Sequence, residues 1–226
     1  MIAAQSRLVV AIDGPSGSGK SSVAKEAARR LDAAYLDTGA MYRAVTWHCL
    51  DAGTDLSDAA AVAQAVRDAD LDISTDPGTE RVLIHGTDVT ATIREQFVSE
   101  SVSAVATNLE ARAELVRRQR ELIGEHARIV AEGRDITTVV APDAQTRILL
   151  TASEEARMRR RGLQLGQVDG AALKRQVVER DAKDSTVSNF TTATDGVYTL
   201  DSSDLDFEQT VEAVISLVEA GSSPLD

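Results

Sequence analysis

Leu8-Val9-Val10-Ala11-Ile12-Asp13-Gly14-Pro15-Ser16-Gly17-Ser18-Gly19-Lys20-Ser21 is the stretch whose reading decides the fold. Its first five residues are apolar without alternation, which suits a parallel strand buried on both faces. From Ser21 to Leu31 the spacing of Val23, Ala27 and Leu31 predicts a helix with one apolar face. Between them Gly14 to Ser21 matches G-x-x-x-x-G-K-[ST], in the strand-to-helix setting that this motif requires. A chance match in this composition is on the order of one in several hundred. Such a loop turns backbone N–H groups toward phosphate oxygens, and the helix N-terminus adds its partial positive charge. Gly14, Pro15, Ser16, Gly17, Ser18, Gly19, Lys20, Ser21 and Ser22 are therefore expected to bind a nucleoside triphosphate. Lys20 would reach the β and γ phosphates and the Ser21 hydroxyl would ligate Mg²⁺.

Outward from this loop, strands and helices alternate. Short apolar runs at Ala33 to Leu36, Arg128 to Ala131, Arg147 to Leu150 and Val197 to Leu200 read as strands, and a second helix runs from after Asp37-Thr38-Gly39 to about Cys49. The pattern predicts an α/β fold, a doubly wound parallel sheet with helices on both faces. Leu56 to Val98 breaks the alternation. A helix capped by Ser57, with Val62, Ala65, Val66 and Ala69 on one face, leads into short strands separated by Asp76-Pro77-Gly78 and Gly86-Thr87-Asp88 turns. This segment reads as a small antiparallel insertion. Leu109 to His126 is a charged helix carrying Arg112, Arg117, Arg118 and Arg120. Phe207 to Val218 is a terminal helix, with Asp206 and Gln209 as a capping box and Phe207, Val211, Val214, Ile215 and Val218 as its buried stripe. From Gly221 on, a fraying tail is expected.

The whole chain of 226 residues carries 24 Lys and Arg against 36 Asp and Glu, a formal charge of -12. That excess of acid argues against nucleic acid or an anionic membrane surface as partner. One cysteine, Cys49, and three scattered histidines, His48, His85 and His126, give neither a disulfide nor zinc-ligand spacing. No run of eighteen apolar residues occurs and no secretory leader is recognised, so a cytoplasmic protein of one domain is expected.

A triphosphate site alone does not choose between a switch, a motor and a kinase. Guanine-binding switches need N-K-x-D and D-x-x-G; neither Asn108 nor Asn189 precedes a lysine, and no Asp has Gly three residues on. Ile129-Val130-Ala131-Glu132 only partly resembles a motor's apolar run ending in Asp-Glu, and Gly133-Arg134-Asp135 then puts a cation and a carboxylate at the carboxyl end of a strand. Doubly wound sheets bind ligands there. Arg157-Met158-Arg159-Arg160-Arg161 is either a lid that neutralises a transferring phosphoryl group or a solvated face paired with Glu154 and Glu155. Arg43, one turn beyond Gly39, can reach a phosphate opposite the loop. Asp37 and Glu132 are candidates to orient Mg²⁺-bound waters, or are structural carboxylates.

The loop, Leu36-Asp37-Thr38-Gly39-Ala40-Met41-Tyr42-Arg43, Glu132-Gly133-Arg134-Asp135 and Arg180-Asp181-Ala182-Lys183-Asp184-Ser185-Thr186 together resemble the bacterial cytidylate kinases, within the P-loop nucleoside monophosphate kinases. The resemblance spans about Leu8 to Asp201. It implies transfer of the γ-phosphoryl group of ATP to CMP or dCMP with Mg²⁺, in pyrimidine nucleotide metabolism, by a monomer. It implies an acceptor-binding region at about 39–98 and a lid at about 153–168. Lys20, Arg43, Arg134, Arg157 and Arg161 would be catalytic. Thr38, Arg43 and Arg134 would hold the acceptor phosphate, Ser103, Arg112 and Asp135 would contact the cytosine, Arg180 and Asp184 would hold the sugar, and Tyr42 would also bind CMP. Ser103 and Arg112 are placed by spacing on one helix, and Asp135 has the alternative of a helix cap or an ion-pair partner. Two other readings stay open: a P-loop kinase for another acceptor, such as UMP or a hydroxyl compound, and a regulatory module that binds ATP without turnover. The chain departs from the family at Val187, where many relatives carry an arginine; Lys183 or a lid arginine is expected to replace it.

Overall fold

The computed structural model describes residues 6–165, 181–182, 185–186 and 188–222. Five parallel strands form the main sheet in the order β2-β6-β1-β7-β8: β1 (Leu8–Asp13), β2 (Ala34–Asp37), β6 (Arg128–Gly133), β7 (Thr146–Thr151) and β8 (Tyr198–Asp201). β1 is central, in register with β6 through Val10↔Val130 and with β7 through Ile12↔Ile148. All six residues of β1 are buried, which explains its unbroken apolar run.

The period-two alternation of β1 separates two cores. Val9 and Ala11 face one with Leu36, Met41, Leu115 and Ile129. Leu8, Val10 and Ile12 face the other with Val23, Ala27, Val211 and Val214. Helices α1 (Lys20–Arg30) and α7 (Phe207–Ser222) cover the second face; α2 (Thr38–Asp51) and α5 (Leu109–Glu125) cover the first. Arg30 fastens α1 to α7 through Glu208 and Glu212. Between α2 and α5 the chain forms α3 (Ala59–Asp68), the antiparallel sheet β3 (Leu71–Ile73), β4 (Val82–Ile84) and β5 (Thr87–Asp88), a 3-10 turn at Thr92–Arg94, and α4 (Gln96–Ala106). α6 (Glu154–Leu165) follows β7.

The structure corrects several expectations. Asp58, not Ser57, caps α3: its Oδ1 accepts from the N–H groups of Ala60 and Ala61, while the Ser57 hydroxyl donates back to Asp55. Ser103 and Arg112 lie on two helices, because the chain breaks after Ala106 and restarts with Asn108 capping α5. The capping box of α7 is present, Asp206 and Gln209 exchanging backbone-to-side-chain bonds of 2.8 and 3.0 Å. Phe207, however, is 50% exposed, since the first helical position points away from the sheet, and Thr210 joins the buried stripe instead. The tail beyond residue 222, and 166–168 of the expected lid, lie outside the described residues.

Candidate active site

The carboxyl ends of β1, β2 and β6 open on a cavity of about 440 Å³. Ser16, Gly17, Gly19, Lys20, Ser21 and Ser22 form its P-loop side. The first turn of α1 holds no acidic residue and no side chain caps it, so its N–H groups stay directed at the loop's concavity. Gly17 has φ +79°, and a Cβ there would sit 2.8 Å from the Arg157 carbonyl oxygen; glycine lets α6 lie against the loop.

At the floor, the Ser21 hydroxyl donates to Glu132 at the end of β6 (2.6 Å). Asp37 caps α2 by accepting the Ala40 N–H (2.7 Å) and holds Arg43 at 3.1 Å. Burial opposes ionisation of Asp37, yet Arg43 and the Ala40 N–H outweigh it and keep its carboxyl below the ordinary range. Glu132 goes the other way: burial and the Asp37 charge, tempered by Lys20 and Ser21, push it up to about 7. Of these two neighbouring carboxylates, Asp37 thus holds the charge more readily and Glu132 the proton. Among the described residues no group of three or more His, Cys, Asp or Glu is placed to hold a metal. Ser21, Glu132 and Asp37 are instead a small set of hard oxygens, of the kind that suits Mg²⁺ carried largely by waters and substrate phosphates.

The raised value of Glu132 carries a testable sign. The fold favours its protonated form, so ionisation as pH rises from about 4.5 toward 7 costs stability. Glutamine imitates that neutral form. In the ligand-free protein, Glu132→Gln is expected to gain on the wild-type melting temperature as pH rises from about 5 to about 8. Parallel melting profiles across that range would contradict a titrating Glu132.

Thr38 is buried, its hydroxyl donating to the Glu132 carbonyl oxygen (2.8 Å). A Cβ on Gly133 would lie 2.5 Å from that hydroxyl, which accounts for glycine at the strand end. Thr38, Tyr42, Arg43, Arg134 and Arg161 all line the cavity. Arg43 keeps its buried Nε without a hydrogen-bond partner among the described residues. Arg134 lies over the Phe190 ring, 4.6 Å from its centre, and pairs with Asp181 (3.0 Å). Burial, with Arg43 and Arg94 nearby, lowers the Arg161 pKa. Such converging cations are the complement of an anion.

At the other end, Arg112 Nη2 meets Asp135 Oδ2 at 2.5 Å, and Ser99, Val102 and Ala106 of α4 complete the wall. Asp135 is buried, which raises its pKa against the pull of Arg112. Its side chain makes no capping bond to the turn Ile136–Val140, so of its two alternative roles only the ion pair is present. Ser103 is half-buried and not in the cavity wall; Ser99, one turn earlier, is. Gly14, Pro15 and Ser18 support the loop from behind rather than lining the cavity.

The solvated-face reading of the arginine cluster fails for Arg157 and Arg160. Arg157 donates to the Ser16 carbonyl (3.0 Å) and to Asp181 (2.7 Å), and Arg160 to the carbonyls of Ser18 (3.1 Å) and Leu205 (3.2 Å). Arg159 alone of the four is exposed. Arg180, Lys183, Asp184 and Val187 lie outside the described residues.

Sequence reasoning missed three contributors. Asp13 accepts the N–H groups of Ile136 and Thr137 (2.9 and 2.8 Å) and the Thr137 hydroxyl (2.6 Å), anchoring the turn after Asp135. Burial raises its carboxyl to about 6 despite those bonds. Its only sequence signal was an acid ending an apolar strand. Arg94 lines the cavity from the insertion, held by Glu80 (3.1 Å), which also binds Lys25 of α1 (2.8 Å). Asp181 stood inside a quoted motif without a role.

In overall fold the chain is similar to an uncharacterized protein from Eubacterium ventriosum (TM-score 0.52, 11% identity, covering 95% of this chain and 99% of that one). It is likewise similar to TT1252 from Thermus thermophilus (TM-score 0.51, 16% identity, 97% and 100%). In sequence it is 49% identical to the cytidylate kinase of Cutibacterium acnes, over 94% of this chain and 96% of that one. Identity to the cytidylate kinase of Rhodococcus jostii is 50%, over 94% and 95%. The family model for cytidylate kinase matches residues 10–220. With a glycine-rich loop, converging arginines and an Arg112–Asp135 pair around one cavity, and this similarity along nearly its whole length, the chain belongs to the cytidylate kinase family.

Proposed function

We propose that this kinase transfers the γ-phosphoryl group of ATP to CMP or dCMP, giving ADP and CDP or dCDP. The observation that carries the reading is one cavity with the P-loop and Lys20 at one end and the buried Arg112–Asp135 pair at the other. A carboxylate so placed accepts a hydrogen bond from an exocyclic amino group, which cytosine has at N4 and uracil lacks. Arg43 and Arg134 hold the acceptor phosphate between the two ends, and Lys20 with Arg157 and Arg161 neutralises the oxygens of the transferring group. Segment 39–98 serves as the acceptor-binding region and 153–168 as the lid.

Aligned phosphates and fixed cations provide most of what this reaction needs. The acceptor phosphate is already ionised, so no strong general base is required. Ser21, with Asp37 and Glu132 through water, would hold Mg²⁺, which would supply positive charge to offset that of the triphosphate. The enzyme works as a monomer in the cytoplasm on small nucleotides; its charge of -12 opposes nucleic acid and anionic membranes. No helix among the described residues is long and apolar enough to cross a membrane.

ADP release measured with a panel of acceptors tests the proposal. CMP and dCMP are expected to drive it, with UMP, AMP and small hydroxyl compounds far behind. Turnover on another acceptor would favour the other kinase reading, and ATP binding without turnover the regulatory one.

A further inference from the structure

Asp181 joins three parts of the site. Its Oδ1 accepts the backbone N–H of Ser16 in the P-loop (3.1 Å) and faces Nη2 of Arg134 (3.0 Å). Its Oδ2 accepts from Nη1 of Arg157 on α6 (2.7 Å). The side chain is 13% exposed, and those of Arg134 and Arg157 are 15% exposed. A glycine-rich loop N–H and two guanidinium groups, converging on one oxygen pair, form the donor set that proteins present to phosphate. Without an anion, two half-buried arginines this close would repel each other across a poorly screened space. The carboxylate removes that repulsion, and it does so with donors that a nucleotide phosphate needs.

We propose that Asp181 is a positioning residue standing where a nucleotide phosphate oxygen will bind: it holds Ser16 N–H, Arg134 and Arg157 in place in the nucleotide-free enzyme and is displaced from them on binding. The proposal rests on the phosphoryl-transfer reading for the identity of the ligand. Part of the binding energy is then used to release Asp181, so the apparent affinity for nucleotide is below what the bare donor set would give. A scaffold residue that stayed in place would behave oppositely, since its loss would let the arginines drift and weaken binding.

Calorimetric titration of the full chain with ATP and with inorganic tripolyphosphate separates the two, for wild type, Asp181→Asn and Asp181→Ala, beside their melting temperatures. We expect both variants to melt lower than wild type without ligand, yet to bind tripolyphosphate and ATP tighter by roughly fivefold or more. Equal or weaker binding overturns the proposal. Wild type that binds neither anion would instead sink the phosphoryl-transfer reading. A structure of the wild-type chain with ADP bound gives a second check that needs no variant. Ser16 N–H should then lie on a phosphate oxygen and Asp181 beyond about 4 Å from it, outside hydrogen-bond reach. Retention of the Ser16–Asp181 bond with nucleotide in place overturns the proposal as well.

Discussion

Replacing Lys20 by methionine is expected to lower kcat by about 100- to 1,000-fold in a chain that still melts cooperatively. Lys20 begins α1 and lines the cavity, its Nζ 3.4 Å from the Pro15 carbonyl oxygen, so the ammonium already lies within the loop. Methionine keeps most of the stem and removes the charge, which isolates the electrostatic contribution to the transition state. KM for CMP should move much less, because Arg43 and Arg134, proposed to hold the acceptor, are untouched. The same charge holds down Glu132, so loss of Lys20 should push that carboxyl further up. Turnover within a few-fold of wild type would show that the loop binds phosphate without acting on it.

Asp135 is expected to control the choice of base. Asp135→Ala and Asp135→Asn should each lower kcat/KM for CMP by roughly 100-fold or more, and lower it far less for UMP. The reason lies in hydrogen-bond complementarity: buried and pinned by Arg112 at 2.5 Å, the carboxylate would offer an acceptor to the N4 amino group and confront the uracil carbonyl with like partial charge. Removing it also strands the Arg112 guanidinium, which weakens binding of either nucleotide. The readout is therefore the CMP-to-UMP ratio, measured on variants of verified fold. Equal losses on both substrates would make Asp135 a prop for Arg112 and nothing more.

Much of this site was legible because its signals are local. The P-loop spacing and the apolar run before it lie within fourteen residues, and Gly133-Arg134-Asp135 follows directly on its strand. Errors arose where neighbours offered the same chemistry. Ser57 and Asp58 are both good caps, and only the Asp55 turn, which takes up the Ser57 hydroxyl, decides for Asp58. Asn108 was a usable cap signal for the break between α4 and α5, hidden by apolar spacing on either side. Asp13, Arg94 and Asp181 were illegible for another reason. The partners of Asp13 and Asp181 are distant in sequence, 124 residues for Thr137 and 165 for Ser16, and Arg94 meets the cavity only once the insertion has folded against the P-loop side; no spacing rule reaches that far.

The central position of β1 also fixes when the nucleotide site can first exist during synthesis. β1 is paired by β6 and β7 alone, and Ser21 meets Glu132 across 111 residues of chain. At about 5 to 20 residues per second, the ribosome needs roughly 6 to 20 s to make that separation. Throughout that interval Leu8 to Ile12, apolar on both faces, has no strand to pair with, and of the helices that cover it in the fold only α1 and α2 precede the insertion. The backbone edges of β1 therefore stay unpaired until its partners are made, and the Ser21–Glu132 floor of the cavity cannot form until β6 has left the exit tunnel and docked.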